Sequence, residues 1–162
     1  MKTRIAWFLA GVVLTAGVSA VWAAGKKELV LMPAEDLKWE DMPPPPGVKE
    51  APKGEAVQVA KVTGDPMKGA YAALVKMPAG QQHPLHTHSS DVKSVVISGT
   101  ATVTPEGGVE KKIGPGGYFM IPADAKHSSS CAAGAPCVVY QEGPGKFDVK
   151  PVVDKTSAAA KK

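Results

Sequence analysis

The sequence predicts an all-β fold, a sandwich or barrel of the jelly-roll kind, and three observations carry that reading. Short runs rich in β-branched and aromatic residues, such as AVQVAKV, AYAALVKM, HPLHTH, VKSVVIS, TATVTP, GYFMIP and CVVYQE, recur from Ala56 onward. Turn residues separate them, as GDP, MPAG, PEGG and GPGG, in a chain of 162 residues that holds 17 Gly and 15 Pro. No stretch keeps an apolar period of about 3.6 residues over a useful length. Evenly spaced apolar pieces of strand length between turn signals close most readily as two packed sheets.

The chain begins MKTRIAWFLAGVVLTAGVSAVWAAGKK. Lys2 and Arg4 precede an apolar run from Ile5 to Val21, and small residues follow around Ala23 and Ala24. This pattern predicts a signal peptide over residues 1–23, cut after Ala23, and a periplasmic or secreted mature protein. The rival reading is an uncleaved anchor, because the run approaches spanning length. Thr15, Gly17 and Ser19 dilute it, and after cleavage no membrane contact is expected.

Residues 24–55 read as an extended Pro-rich arm, since Pro43 to Pro46 fit neither a helix nor a central strand. Trp39, the one tryptophan left after cleavage, is expected to anchor that arm on the body of the domain. The domain itself is predicted over residues 56–150. The segment 151–162, ending KTSAAAKK, reads as a disordered tail.

Charge excludes one class of partner. Loss of Lys2 and Arg4 lowers the formal net charge from +4 to +2, and the remaining lysines are dispersed without an aromatic-interleaved basic stripe. Nucleic acid is therefore not an expected partner. The two cysteines, Cys131 and Cys137, flank AAGAP. An even pair in an exported chain predicts a disulfide across a tight loop. The other reading, two thiolate ligands or a redox couple, lacks the C-x-x-C spacing.

Three of the four histidines, His83, His86 and His88, fall within six residues. On a strand, residues two apart share a face, so His86 and His88 project together. His83 stands an odd number of residues from both and would face away in an unbroken strand, although Pro84 can break it. His127 follows GGYFMIPADAK, where another strand is expected to end in a turn.

These positions resemble the cupin pattern G-x5-H-x-H-x3-E-x6-G followed by G-x5-P-x-G-x2-H-x3-N. Gly80, His86, His88 and Gly99 stand in the first register, and Gly116, Pro122 and His127 in the second, without insertion. The resemblance covers about residues 56–149. It implies a double-stranded β-helix, the cupin jelly-roll barrel, with metal ligands at His86, His88 and His127. It also admits a homodimer, since cupins commonly pair through sheet edges.

The departures are equally specific. Val92 stands where the pattern has glutamate, with Lys93 at the position one further on; Asp124 replaces a glycine and Cys131 an asparagine. Asp91, Glu142 and His83 are the remaining candidates to complete the site. Strand alternation turns Asp91 away unless a bulge intervenes, and no spacing argument supports Glu142. A three-histidine site is the expectation, with Val92 lining an apolar interior and Lys93 pointing outward.

Three neutral imidazoles leave a divalent ion its full charge, which favours an anionic or oxygen ligand at its open positions. Imidazole coordination suits a divalent transition metal, iron or zinc foremost. Two functions follow. One is a metal-dependent, dioxygenase-like enzyme acting on a small molecule, with Tyr71, Tyr118 and Tyr140 as candidate donors. The other is a non-catalytic periplasmic module that holds or senses a metal or small ligand.

Overall fold

A computed structural model describes residues 29–45 and 55–152. The expected signal peptide at 1–23, parts of the arm including Pro46, and the tail beyond Val152 lie outside the described residues. Residues 29–31 belong to a separate N-terminal unit, and everything from Met32 onward to another.

Among the described residues of the second unit, a 3-10 turn at Ala34–Asp36 leads into eleven strands. The first six are β1 (Trp39–Asp41), β2 (Gln58–Gly64), β3 (Tyr71–Met77), β4 (Gln82–Thr87), β5 (Val92–Ser98) and β6 (Ala101–Pro105). Then come β7 (Lys111–Ile113), β8 (Tyr118–Ile121), β9 (His127–Cys131), β10 (Cys137–Gly143) and β11 (Lys150–Pro151). They form a six-stranded sheet in the order β1-β2-β3-β10-β5-β8 and a five-stranded sheet in the order β11-β4-β9-β6-β7. Every pairing is antiparallel. This is the jelly-roll predicted from the sequence.

The period-two pattern decides which face each strand buries. Along β3, Tyr71, Ala73, Val75 and Met77 are buried and the residues between them are not; along β10 the same holds for Cys137, Val139, Gln141 and Gly143. These inward faces meet Ala101 and Cys131 of the other sheet in one core that also holds Val59 and Val96. Full burial of a valine such as Val96 or Val139 contributes about 1.5–3 kcal/mol.

The two sheets are tied covalently. Cys131 ends β9, Cys137 begins β10, and their sulfurs form a disulfide with the α-carbons 5.7 Å apart. Gly99 lies against this bridge with φ +75°; a β-carbon there would stand 2.7 Å from the Pro136 carbonyl oxygen. Only glycine meets both the left-handed backbone and the close approach. The bridge joins cysteines six positions apart. Replacing both cysteines by alanine is expected to cost about 2 kcal/mol from loop entropy; a denaturant midpoint equal to wild type would count against that role.

Several elements were not signalled by the sequence. Strands β7 and β9 read KKI and HSSSC, with few of the residues enriched in strands; pairing on both sides of β9 overrides that preference. The arm contributes β1, which pairs with β2, and Lys76 Nζ sits 4.2 Å from the centre of the Trp39 ring. Trp39 therefore does hold the arm. At the other end, Pro151 pairs with His86, so ordered pairing enters the segment assigned to the tail.

Candidate metal centre

The backbone ladder brings the histidines together. His86 of β4 lies directly opposite His127 of β9. His88 follows one residue after β4 ends. Its carbonyl accepts a 2.9 Å hydrogen bond from the amide of Asp124, which links the turn before His127 to the H-x-H segment. Asp124 has φ 60°, so the position occupied by glycine in the cupin pattern keeps its left-handed conformation with an aspartate in place. Asp tolerates that region better than most residues. Strand β8 ends at Ile121 in the turn that the sequence implied, and His127 opens the next strand.

All three rings are oriented by the same device. Nδ1 of His86 lies 2.6 Å from the Pro84 carbonyl oxygen, Nδ1 of His88 2.5 Å from that of Asp148, and Nδ1 of His127 3.0 Å from that of Ala125. A carbonyl only accepts, so each Nδ1 carries the proton and each Nε2 keeps a lone pair. The three residues each offer a ligand nitrogen within 4.8 Å of the others. Nε2 of His127 is buried with no hydrogen-bond partner, a placement that costs about 1–3 kcal/mol unless something binds it. The group could hold a metal ion, and the unpartnered nitrogen and lone-pair set fit one.

The electrostatics agree with that fit. His86, His88 and His127 are only 3–4% exposed. Burial pushes His86 down from 6.5 to about 4, against an opposing hydrogen bond to Pro84. Burial also lowers His88 and His127. All three are neutral at physiological pH, the form that binds metal.

The other candidates lie elsewhere. A register shift gives β4 three steps from His83 to His86 against two steps on β9, so His83 shares the face of His86 after all. It nevertheless hydrogen-bonds Ser129 at 3.3 Å and falls outside the three-residue group. Asp91 accepts a 2.8 Å bond from the Ala123 amide. Glu142 lies half-exposed, 3.8 Å from Lys93. Val92 is 4% exposed and Lys93 is exposed, as the alternation implied. Of the tyrosines, Tyr71 alone is buried; Tyr118 is exposed, and Tyr140 bonds Glu142.

Some supporting residues were missed. Asp148 accepts from both the amide (2.7 Å) and the hydroxyl (2.5 Å) of Ser89, while its own carbonyl orients His88. Phe147 packs its ring 5.0 Å from that of His88. Loop positions far from the motif give no spacing signal. Asp148→Ala keeps the backbone carbonyl that His88 bonds but removes the carboxylate that fixes that carbonyl against Ser89. A looser His88 ring is then expected to weaken metal affinity about 10-fold. Competition against a chelator measures this, and a change under threefold would reject it.

Two clefts border the domain. One of about 310 Å³ is lined by hydroxyl-bearing Thr102, Thr104, Ser128 and Ser130 together with His83. Another of about 410 Å³ is lined by Tyr71, Asp91, Lys93 and Glu142 among others. Neither is lined by the three histidines.

The profile of a domain of unknown function (DUF4437) matches residues 22–150. No curated protein matches the sequence. Among solved structures, the chain is similar to the polyketide cyclase RemF from Streptomyces resistomycificus at 19% identity, with 79% of this chain and 88% of that one covered and a TM-score of 0.62. It is similar to an RmlC-like cupin from Ralstonia eutropha at 20% identity, 80% and 82% coverage and a TM-score of 0.56. It is also similar to the DMSP lyase DddQ from Ruegeria pomeroyi at 20% identity, 74% and 61% coverage and a TM-score of 0.56. At these identities the likeness is one of fold.

Proposed function

Since this chain belongs to the cupin-like DUF4437 family, we propose that it is an exported metal-binding cupin whose three-histidine centre serves metal-dependent, oxygenase-like chemistry on a small molecule. One observation carries the reading. Three imidazoles from two strands and a loop are each pinned through Nδ1 to a carbonyl, which leaves three converging Nε2 atoms, one of them buried without a partner.

His86, His88 and His127 would hold the ion, with iron or zinc best suited to an all-imidazole set. A bound ion of this kind supplies Lewis acidity, and iron adds access to dioxygen chemistry. The chain's own contribution is to fix ring orientation through Pro84, Ala125 and Asp148 and to exclude water by burial. Val92 adds no negative charge, so the centre attracts anionic ligands. Export is supported by the N-terminal pattern and fits the Cys131–Cys137 bridge, which persists in oxidising compartments.

The fold hosts many chemistries, and the named cyclase and lyase act on small molecules. A second reading, a non-catalytic module that holds metal, is favoured by the exposure of only 3–4% at the histidines. Elemental analysis of protein purified from the native compartment should find close to one transition-metal ion per chain. Oxygen uptake by iron-loaded protein with thiols, phenols or diketones would then favour the enzyme. A metal-free native protein that takes up neither iron nor zinc would end both readings.

A further inference from the structure

The polar interior is not confined to the histidine sheet. Cys131 and Cys137 are bridged, so the β9 face bearing Cys131 and the β10 face bearing Cys137 look at each other. His127 lies on the first face, four residues from Cys131, and Gln141 lies on the second, four residues from Cys137. Each is therefore about 13 Å along its strand from the bridge, and packed sheets lie about 10 Å apart. Gln141 stands across the interior from the histidines.

Gln141 does not stand there alone. It is 8% exposed, and its Nε2 donates a 2.6 Å hydrogen bond to the Tyr71 hydroxyl. Ser94, its neighbour in the β5–β10 ladder, is 1% exposed, and its Oγ has no hydrogen-bond partner. No acceptor for the Tyr71 proton appears among the described residues. Burial pushes Tyr71 up to about 12, so it stays a neutral donor. The wall thus offers hydroxyl and amide groups and no charge. Among the described residues, Ser94 Oγ on this wall and His127 Nε2 on the other sheet are both buried without a hydrogen-bond partner, as is Gln81 Oε1.

We propose that Ser94 and Gln141, with Gln141 oriented by Tyr71, form the recognition wall for a small organic oxyanion, a carboxylate or enolate, that spans from the histidine-held ion to these side chains. The proposal rests on the metal-centre reading. The ion brings the only formal charge among these groups, which selects an anion. The wall supplies neutral hydrogen bonds to the ligand's remaining polar atoms, which selects an oxygen-bearing one. Ser94 and Gln141 are positioning residues in this scheme.

The test uses the full chain loaded with cobalt(II), whose visible absorption reports ligand exchange, with acetate as the probe and acetamide as its neutral counterpart. Ser94→Ala and Gln141→Leu should take up cobalt as the wild type does yet bind acetate about tenfold more weakly. Acetamide should bind wild type at least tenfold more weakly than acetate. Ser94→Ala should melt no lower than wild type, because it removes an unpaired buried hydroxyl. Acetate affinities within twofold of wild type in both variants would overturn the wall. Equal binding of acetamide and acetate would overturn the ligand class. A wild-type chain that takes up no cobalt would instead sink the metal centre, and the wall with it.

Discussion

His127→Leu should abolish metal binding, from about one ion per chain to none, while leaving the metal-free protein at least as stable as wild type. The two halves of this result have one cause. In the wild type, Nε2 of His127 is buried without a partner and Nδ1 has the single bond to Ala125. Leucine has a similar size and no polar atom to leave unsatisfied, so the substitution removes a buried orphan at little cost in packing. Two imidazoles remain, too few for a closed grip on the ion. Calorimetry with and without metal separates the effects: at a thousandfold excess over Kd a bound ion stabilises by about 4 kcal/mol, and the variant should show no such gain. A variant that still holds a full equivalent would mean that the ion, if bound, sits elsewhere. A metal-free variant that melts far below wild type would show that His127 has a packing role.

Acid should destabilise the metal-free protein in a window set by the histidines. Burial lowers His86 from 6.5 to about 4, and it lowers His83, His88 and His127 as well. Between those limits the unfolded chain binds protons that the folded chain refuses, so stability rises with pH there. The contribution is complete above about pH 6.5 and is lost as pH falls towards 4. For His86 alone the loss is about 3 kcal/mol. The carboxylates act lower. Burial would raise Asp148, but its bonds from Ser89 outweigh this and hold it below 3.8; the Met67 amide does the same for Asp65. Their losses begin only beneath the histidine window. Urea midpoints at pH 7.5, 6.5, 5.5 and 4.5 should be level over the first two and fall over the last two, and His86→Leu should flatten the fall. A midpoint constant down to pH 4.5 would contradict the burial of these rings.

The fold was legible because its strands repeat a two-residue pattern: VKSVVIS was bounded correctly at both ends as β5, and CVVYQE fell short of β10 by one residue. The three histidines were legible because their spacing is local or fixed by a motif. HSSSC was not legible as a strand, since serine carries little β preference and only its neighbours on both sides make it one. The facing of His83 stayed open in the sequence, since an odd spacing turns it away in an unbroken strand while Pro84 can break one, and the register shift between His83 and His86 decides it. Asp148 and Gln141 act through contacts over long sequence separations, |i−j| of 59 and 70, which no local pattern encodes. The alternation in CVVYQE did place Gln141 on the inward face, and a buried glutamine in an apolar strand was a signal available to be read.

His86 and His127 occupy one rung of the β4–β9 ladder. The spacing of the two backbones that carry these rings is therefore the pitch of the sheet, about 5 Å between neighbouring strands, and it holds the ring centres 4.2 Å apart. The strand pairing thus sets the two anchor points before any cargo arrives, and only the ring torsions remain to be adjusted.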